Sequence, residues 1–505
     1  MHAGRLAELL GRWSSGSEPL YLKLAARLEG LVERGEIPAD GRLPTERALA
    51  AELAISRNTA VAAYDVLRDR GLVERRRGSG TFVRRPPRPG RGVVAEFNPM
   101  FLHLLDPVPD LIDLTCAAPP QPAYLAEVVA EAAVGDFGIG YHPSGIPALR
   151  QAIADYYAAL GVPTEPAQIV VTSGAQQAIS LLAQLFLRPG DAVAVEELTY
   201  PGALDAFRGG GARILGVPLT ADGVSVPHLA EVVGGAKLVY LVPAFQNPTG
   251  SVLPPHAARQ VVALCESHQV PLVDDHVLAD LTLDGPRPAP LARYGSEVIS
   301  VGSLSKLIWG GVRIGWVRAD ARTAADLARL KAVADLGTDV VAQAIGVALF
   351  ARLGRLRTER QDELRERRDQ VVRDLRAALP SWKFRTPPGG QTLWIRLPGA
   401  DSRRFAQFAL RYGVALLEGT SLAAHESSGE HIRVPFTLPP AALSEAVRRL
   451  RKAWDDYPGA NHAGLALSGG AGTGEGDRHA TFPAERDDES AGRESPVRPG
   501  REHLR

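Results

Sequence analysis

The stretch Gly302 to Gly315, GSLSKLIWGGVRIG, sets one lysine, Lys306, between Ser303 and Ser305 and follows it with Arg313. A lysine in a serine-flanked turn after the apolar run Val298 to Val301 is placed to condense with an aldehyde as a Schiff base. Ser303 and Ser305 can donate to a phosphate, and Arg313 can clamp one with a forked pair of hydrogen bonds. A lysine near an arginine is also a common solvated surface pair, so the rest of the chain must supply the partners of such a site.

Those partners require elements to carry them. Ile169 to Val171, Ala192 to Val195, Leu238 to Val242, Leu272 to Val273 and Val298 to Val301 are short β-rich runs separated by helical stretches. That alternation predicts a largely parallel sheet covered by helices, an α/β fold. Ligands in such sheets sit beyond the carboxyl ends of the strands. After Val171 come Ser173, Gly174 and Ala175, opening a helix whose free amides would hold a phosphate. After Val195 the loop EELTYPG presents Tyr200, a ring able to stack on a flat cofactor. PAFQNPTG follows Val242 and carries Asn247, Asp274 follows Val273, and Lys306 follows Val301. Singly, Ser173 reads as a helix cap, Tyr200 as a loop aromatic, Asn247 as a turn residue and Asp274 as a capping carboxylate. Five strand ends offering phosphate donors, a ring, an amide, a carboxylate and a lysine together describe a pyridoxal phosphate pocket.

The totals bound the rest. A chain of 505 residues exceeds one ordinary domain, and 45% hydrophobic against 23% charged residues suits a chain with a large core. Net charge is zero, yet residues 20–91 hold 15 Lys and Arg against 9 Asp and Glu, a basic module on a neutral body. Cys116 and Cys265 form no CxxC pair and no disulfide framework, which points to a reducing compartment. No apolar run approaches the roughly 20 residues of a membrane helix. The N-terminus, with Glu8 and no small-residue cleavage site, makes a poor signal peptide. The expectation is a cytoplasmic protein with no membrane role, and no metal site is read.

In the basic module, Leu20, Leu24, Leu28 and Leu31 recur at helical spacing, with a stop near Gly35. A second helix fits Thr45 to Leu53, capped by Thr45, with Ala48, Leu49 and Leu53 inward. Ser56 caps a third, running to about Arg70, with Ala60, Ala63 and Leu67 inward. Its exposed start, Arg57, Asn58 and Thr59, is the end that reaches base edges in a major groove. Leu72 to Glu74 and Thr81 to Val83 then flank a basic hairpin, Arg75 to Gly80.

GRLPTERALAAELAISRNTAVAAYDVLRDRGLVERRRGSGTFV resembles the winged helix-turn-helix of GntR-type bacterial regulators across about 65 residues from Leu20. The resemblance implies that Arg47, Arg57, Asn58 and Thr59 touch DNA and that Gly80 brings the wing tip near the minor groove. Val61 stands where many relatives carry arginine. Residues from about Leu111 to Arg451 resemble a fold-type I aminotransferase, with YHPSGIPALR, TSGAQQAI, NPTG and SLSK in order. That implies a large α/β domain and a smaller C-terminal α+β domain. It also implies that Lys306 holds the cofactor, Asp274 pairs with the pyridine nitrogen, Tyr200 stacks on the ring and Asn247 binds the phenolic oxygen. Ser173, Gly174, Ala175, Ser303 and Arg313 would hold the phosphate, joined by Tyr141 from a partner subunit, and Arg433 would grip a ligand carboxylate. His276 stands where aminotransferases that the chain resembles place a tyrosine near the phenolic oxygen, and a histidine could take over that bond.

The two together resemble MocR/GabR-type regulators. The expected division is a DNA-binding domain over 1–85, a linker over 86–110 rich in Pro, Gly and Arg at its start, an aminotransferase-like domain over 111–456, and a disordered tail over 457–505. The expected function is a transcriptional regulator that binds operator DNA and senses pyridoxal phosphate, or an amino compound forming an external aldimine with it. A homodimer is expected, with a head-to-tail exchange of domains open. The alternative is a working aminotransferase that carries a DNA-binding domain.

Overall fold

The computed structural model describes residues 1–14, 18–33, 36–38, 40–76, 79–84, 110–132, 135–425 and 428–458. The expected linker, apart from residue 110, the wing-tip pair Arg77 and Gly78, and the tail from residue 459 lie outside the described residues.

The N-terminal unit comprises α1 (Ala3–Leu10), α2 (Leu20–Glu33), α3 (Glu46–Glu52), α4 (Arg57–Asp69) and a hairpin of β1 (Val73–Arg76) with β2 (Gly80–Val83). Both helix starts have the local chemistry the sequence calls for. The Thr45 hydroxyl accepts from the Ala48 amide at 3.2 Å and the Ser56 hydroxyl from the Thr59 amide at 3.0 Å, each satisfying a donor with no partner inside its helix. Leu24, Leu28, Leu31, Leu49, Tyr64 and Leu67 form a core of their own, to which α1 adds Leu6 and Leu10. Ala48, expected inward, is exposed: α3 is two turns long and buries only the face of Leu49 and Ala50.

β3 (Ile112–Asp113) follows the linker. The central sheet is built from β4 (Ile169–Thr172), β5 (Ala192–Glu196), β6 (Arg213–Val217), β7 (Leu238–Leu241), β8 (Leu272–Asp275), β9 (Ile299–Ser303) and β10 (Gly315–Arg318), in the order β4-β10-β9-β8-β7-β5-β6. The five expected runs supply β4, β5, β7, β8 and β9. β10 runs antiparallel to both its neighbours, so the sheet is mixed. Helices including α5 (Pro147–Ala159) and α6 (Ala175–Phe186) pack on it around a continuous apolar core.

The long helix α7 (Leu353–Ala378) leads to a smaller sheet of β11 (Thr392–Arg396), β13 (Leu417–Glu418) and β14 (His431–Pro435), in the order β11-β14-β13. α8 (Ser402–Ala409) and the closing helix α9 (Pro440–Asp456) belong to the same unit. β12 (Val414–Ala415) pairs in parallel with β3, which ties the start of this part of the chain to its end. Among the described residues no helix is long and apolar enough to cross a membrane.

The N-terminal unit rests on the smaller unit. Arg403 at the start of α8 pairs with Glu8 (3.0 Å) and Glu52 (3.6 Å), and Arg411 donates to the Leu53 carbonyl at 3.1 Å and to the Ala54 carbonyl. Ala54, in the turn between α3 and α4, has φ +50°, a left-handed conformation that non-glycine residues seldom adopt. Arg411 therefore caps the strained turn of the helix-turn-helix from outside.

Candidate functional site

The carboxyl ends of β4, β5, β7, β8 and β9 open on one region, as the strand-end argument requires. Lys306 sits just past β9, half-buried, with Nζ donating to the Ala117 carbonyl at 2.7 Å. Burial pulls its ammonium below the ordinary lysine value, with Arg433 acting in the same direction and Cys116 and Asp275 opposing. An amine so placed spends more time neutral than a surface lysine and is the better nucleophile for it.

Asp274 is fully buried at the end of β8. Oδ2 accepts from the Leu291 amide at 2.8 Å, while Oδ1 is buried with no hydrogen-bond partner. Burial pushes its carboxyl up to about 7. A carboxylate with one satisfied and one free buried oxygen fits a single cationic N–H donor, which a protonated pyridine nitrogen is. Its neighbour Asp275 turns to the other side of the strand, accepting from the Tyr240 hydroxyl at 2.5 Å and the Val277 amide at 3.2 Å. Glu196, buried behind the Tyr200 loop, accepts from the Val242 amide at 3.0 Å, and burial pushes it up to about 8.

Tyr200 is half-buried and packs, as Trp394 does, against the Leu417 and Leu422 pair. Asn247 Oδ1 accepts from Arg433 Nη1 at 3.3 Å. Arg433 lies in the middle of the small sheet, 2% exposed, with Nη2 on the Thr115 carbonyl and Nε buried without a partner. Burial lowers it to about 10. A guanidinium this buried with an unused donor and no carboxylate partner fits an anionic ligand group.

Ser173 and Gly174 precede α6, and Gly174 takes φ +103°. The Arg313 guanidinium lies against Gly174, where a Cβ would come within 3.1 Å of it, and donates to the Ser173 carbonyl. The first amides of α6 and the Arg313 charge therefore share one concavity. Ser303 is turned inward, its hydroxyl on the Ile314 carbonyl (3.2 Å) and on Ser305 (3.0 Å), so the chain uses it to close the lysine turn. His276 is buried, with Nδ1 3.8 Å from Asp274 Oδ2 and neither ring nitrogen hydrogen-bonded; burial lowers it to about 3 and keeps it neutral. No hydrogen bond joins it to Asn247. Tyr141 stands apart, 60% exposed on the surface with Ile139 at 86%.

On the N-terminal unit Arg47, Arg57 and Asn58 are exposed. Thr59 is half-buried, and its hydroxyl lies 2.8 Å from that of Ser56, within the cap. Gly80 takes φ +112° beside the Arg42 guanidinium. The hairpin arginines are partly neutralised: Arg75 pairs with Glu46 at 3.0 Å, and Arg76 pairs with Glu74 at 2.6 Å and lies over the Phe82 ring.

Sequence reasoning did not find Thr115, Ala117, Asp275 or Gln391, whose side-chain amide donates to the Ala117 carbonyl at 2.6 Å. Two of these act through backbone carbonyls, which no side-chain motif records. Asp275 alone carried a signal, the doubled acid of DDH.

Residues 110–450 match the family of aminotransferases of class I and II, and residues 20–83 match the gntR family of bacterial regulatory proteins. The chain is 26% identical over 455 residues to the HTH-type transcriptional regulator YdfD of Bacillus subtilis, covering 83% of this chain and 92% of that protein. It is 29% identical over 324 residues to the probable rhizopine catabolism regulatory protein MocR of Rhizobium meliloti, covering 59% of this chain and 65% of that protein. Among solved structures it is similar to LysN, the alpha-aminoadipate aminotransferase of Thermus thermophilus complexed with N-(5'-phosphopyridoxyl)-L-leucine. The TM-score is 0.65 and the identity 27%, over 73% of this chain and 95% of LysN. The chain thus belongs to the aminotransferase class I and II family and carries a gntR-family module at its N-terminus, the domain combination of a MocR-type regulator.

Proposed function

We propose that this protein is a DNA-binding transcriptional regulator that senses an amino compound in its aminotransferase-like unit. The DNA-binding domain spans 1–85, the linker 86–110 and the ligand-binding domain 111–456. One observation carries the reading: the exposed start of α4 belongs to a unit that rests on the smaller unit, which holds Arg433. The cofactor is pyridoxal 5'-phosphate, which supplies an aldehyde that bonds amines and a ring that withdraws electrons.

In this reading Lys306 holds the aldehyde carbon, and Asp274 accepts from the ring nitrogen with its free Oδ1. Tyr200 lies against the ring, and Asn247 meets the phenolic oxygen. Ser173, Gly174 and Ala175 with Arg313 bind the phosphate. Ser303 supports the turn from within, and neutral His276 lines the ring side beside Asp274. Arg433 orients a ligand carboxylate with its unused Nε. Arg57 and Asn58 read bases, while Arg47, Thr59 and Gly80 meet the DNA backbone and groove. The protein acts as a cytoplasmic homodimer, with Tyr141 reaching the partner's phosphate. A ligand moves the equilibrium between DNA-binding arrangements only by its differential affinity for them.

The test is selection of bound sequences from a random duplex pool by full-length protein, followed by affinity measurements with and without cofactor and a panel of amino acids. The expected outcome is a two-part site whose affinity changes when a particular amino acid is added. Absence of sequence-selective binding would sink the regulator reading. A second reading, a working aminotransferase, is favoured by the retained Lys306 and Arg433. Sustained keto-acid production over many turnovers would support it.

A further inference from the structure

The five residues that lead into the pocket touch both halves of the molecule. Asp113 Oδ2 pairs with Arg12 Nη2 of the N-terminal unit at 2.5 Å, and its Oδ1 accepts from the Thr115 hydroxyl (2.6 Å) and amide (2.9 Å). Arg12 also donates to the Thr115 hydroxyl at 3.4 Å. The Thr115 carbonyl accepts from Arg433, which in turn meets Asn247. Two residues further on, the Ala117 carbonyl accepts from Lys306 Nζ at 2.7 Å and from Gln391 Nε2 at 2.6 Å. Residues 113, 115 and 117 thus hold, in order, the DNA-binding unit, the candidate carboxylate arginine and the candidate cofactor lysine.

Arg12 is no solvated surface cation: it is 8% exposed and Thr115 1%. The Asp113 carboxylate, 34% exposed, is one of the partners that hold this buried guanidinium, so a shift of Asp113 strains its contact with Arg12. β3 pairs with β12, and beyond it the segment is held through its carbonyls by Arg433, Lys306 and Gln391, so a displacement of one of these side chains is passed to its backbone.

We propose that Asp113–Ala117 is a relay between the DNA-binding unit and the ligand pocket, in which Arg12 is a positioning residue for Arg433. The ligand class follows: an amino compound bearing a carboxylate pulls on Arg433, hence on the Thr115 carbonyl and the Asp113–Arg12 pair, whereas an amine lacking one does not. This rests on the reading of Arg433 as a carboxylate site, and two measurements separate the claims.

The first needs no ligand. In the cofactor-free full chain, thermal midpoints of Arg12→Met, Arg433→Gln and the double variant are compared. A relay requires the double shift to differ from the sum of the single shifts, and strict additivity overturns it. The second uses cofactor-loaded protein titrated with L-leucine and with 3-methylbutylamine, the same skeleton without its carboxylate, followed by cofactor absorbance. Arg12→Met weakens leucine by roughly two- to thirtyfold, the range reached along coupled networks, and leaves the amine unchanged. Arg12→Lys restores part of the difference. Arg403→Met, which breaks docking contacts away from the segment, leaves the preference intact, and an equal loss there would overturn the assignment to Arg12. If wild type binds neither probe, the pocket reading fails while the double-variant comparison still decides the relay.

Discussion

Asp274 shows how one buried oxygen can decide what a site is for. Its Oδ1 has no partner and its carboxyl is raised to about 7, while Glu196 is raised to about 8. A carboxyl whose folded value lies above its unfolded one binds protons more tightly when folded. Its stabilising contribution is therefore complete below the unfolded value and lost as pH rises through the folded one. With ordinary values of 3.8 and 4.5, these two carboxyls together withdraw stability from the cofactor-free protein as pH rises between about pH 4 and pH 8. Denaturant midpoints across that window measure it, and Asp274→Asn should flatten the part below about pH 7. Loading with cofactor should also reduce the loss, because a protonated ring nitrogen gives the ionised carboxylate a positive partner. A profile indifferent to both changes would remove Asp274 from the ring. His276, held neutral by burial with its folded value of about 3 below the ordinary 6.5, acts in the opposite sense, its contribution growing as pH rises to about 6.5 and constant above that.

At the scale of elements, α4 carries the DNA-binding prediction. Ser56→Ala removes the acceptor for the Thr59 amide and should cost about 1 kcal/mol of stability, seen as a lower thermal midpoint. Arg57→Ala should leave that midpoint in place and weaken operator binding by about 1–3 kcal/mol, the worth of a base contact. Arg47→Ala should instead lower the salt dependence by about one phosphate contact. If Arg57→Ala and wild type bind the operator equally, another element reads the bases. These helices were legible because their caps, Thr45 and Ser56, and their leucine spacing are local signals, and the same holds for the five apolar strands. β10 was not legible, since GWVR ends in a buried arginine whose guanidinium is satisfied by the Val298 carbonyl at 3.0 Å, a partner distant in sequence. α1 escaped for a related reason: its apolar face packs on α3 as well as on α2, and Gln407 and Arg403 of α8 reach it from far along the chain. In the pocket, the side chains that define a motif were legible. The carbonyls of Thr115 and Ala117 were not, because any residue type provides one.

For the whole molecule the question is whether one chain completes its own site. Tyr141 is 60% exposed, and its neighbour in sequence Ile139 is exposed with it; Gly337 lies against the His142 backbone, which brings the exposed Leu336 to the same surface. An apolar surface of this kind suits a second copy of the chain better than water. If Tyr141 serves its partner's phosphate, Tyr141→Ala should weaken cofactor binding by about 1.5–3 kcal/mol, the worth of a hydrogen bond to a charged group. Lys306→Ala should abolish the covalently held cofactor and its visible absorbance. Mixing the two variants then separates cis from trans. A mixed dimer has one site lacking both groups and one site with Lys306 from one chain and Tyr141 from the other. With random exchange of subunits, about a quarter of all sites should regain tight, coloured cofactor, as closed twofold pairing requires. If Tyr141 acts within its own chain, no mixed site contains both groups and mixing restores none. Absorbance titration of the mixture at cofactor concentrations too low to load Tyr141→Ala alone distinguishes the two, and a failure to recover colour would place the phosphate site within a single chain.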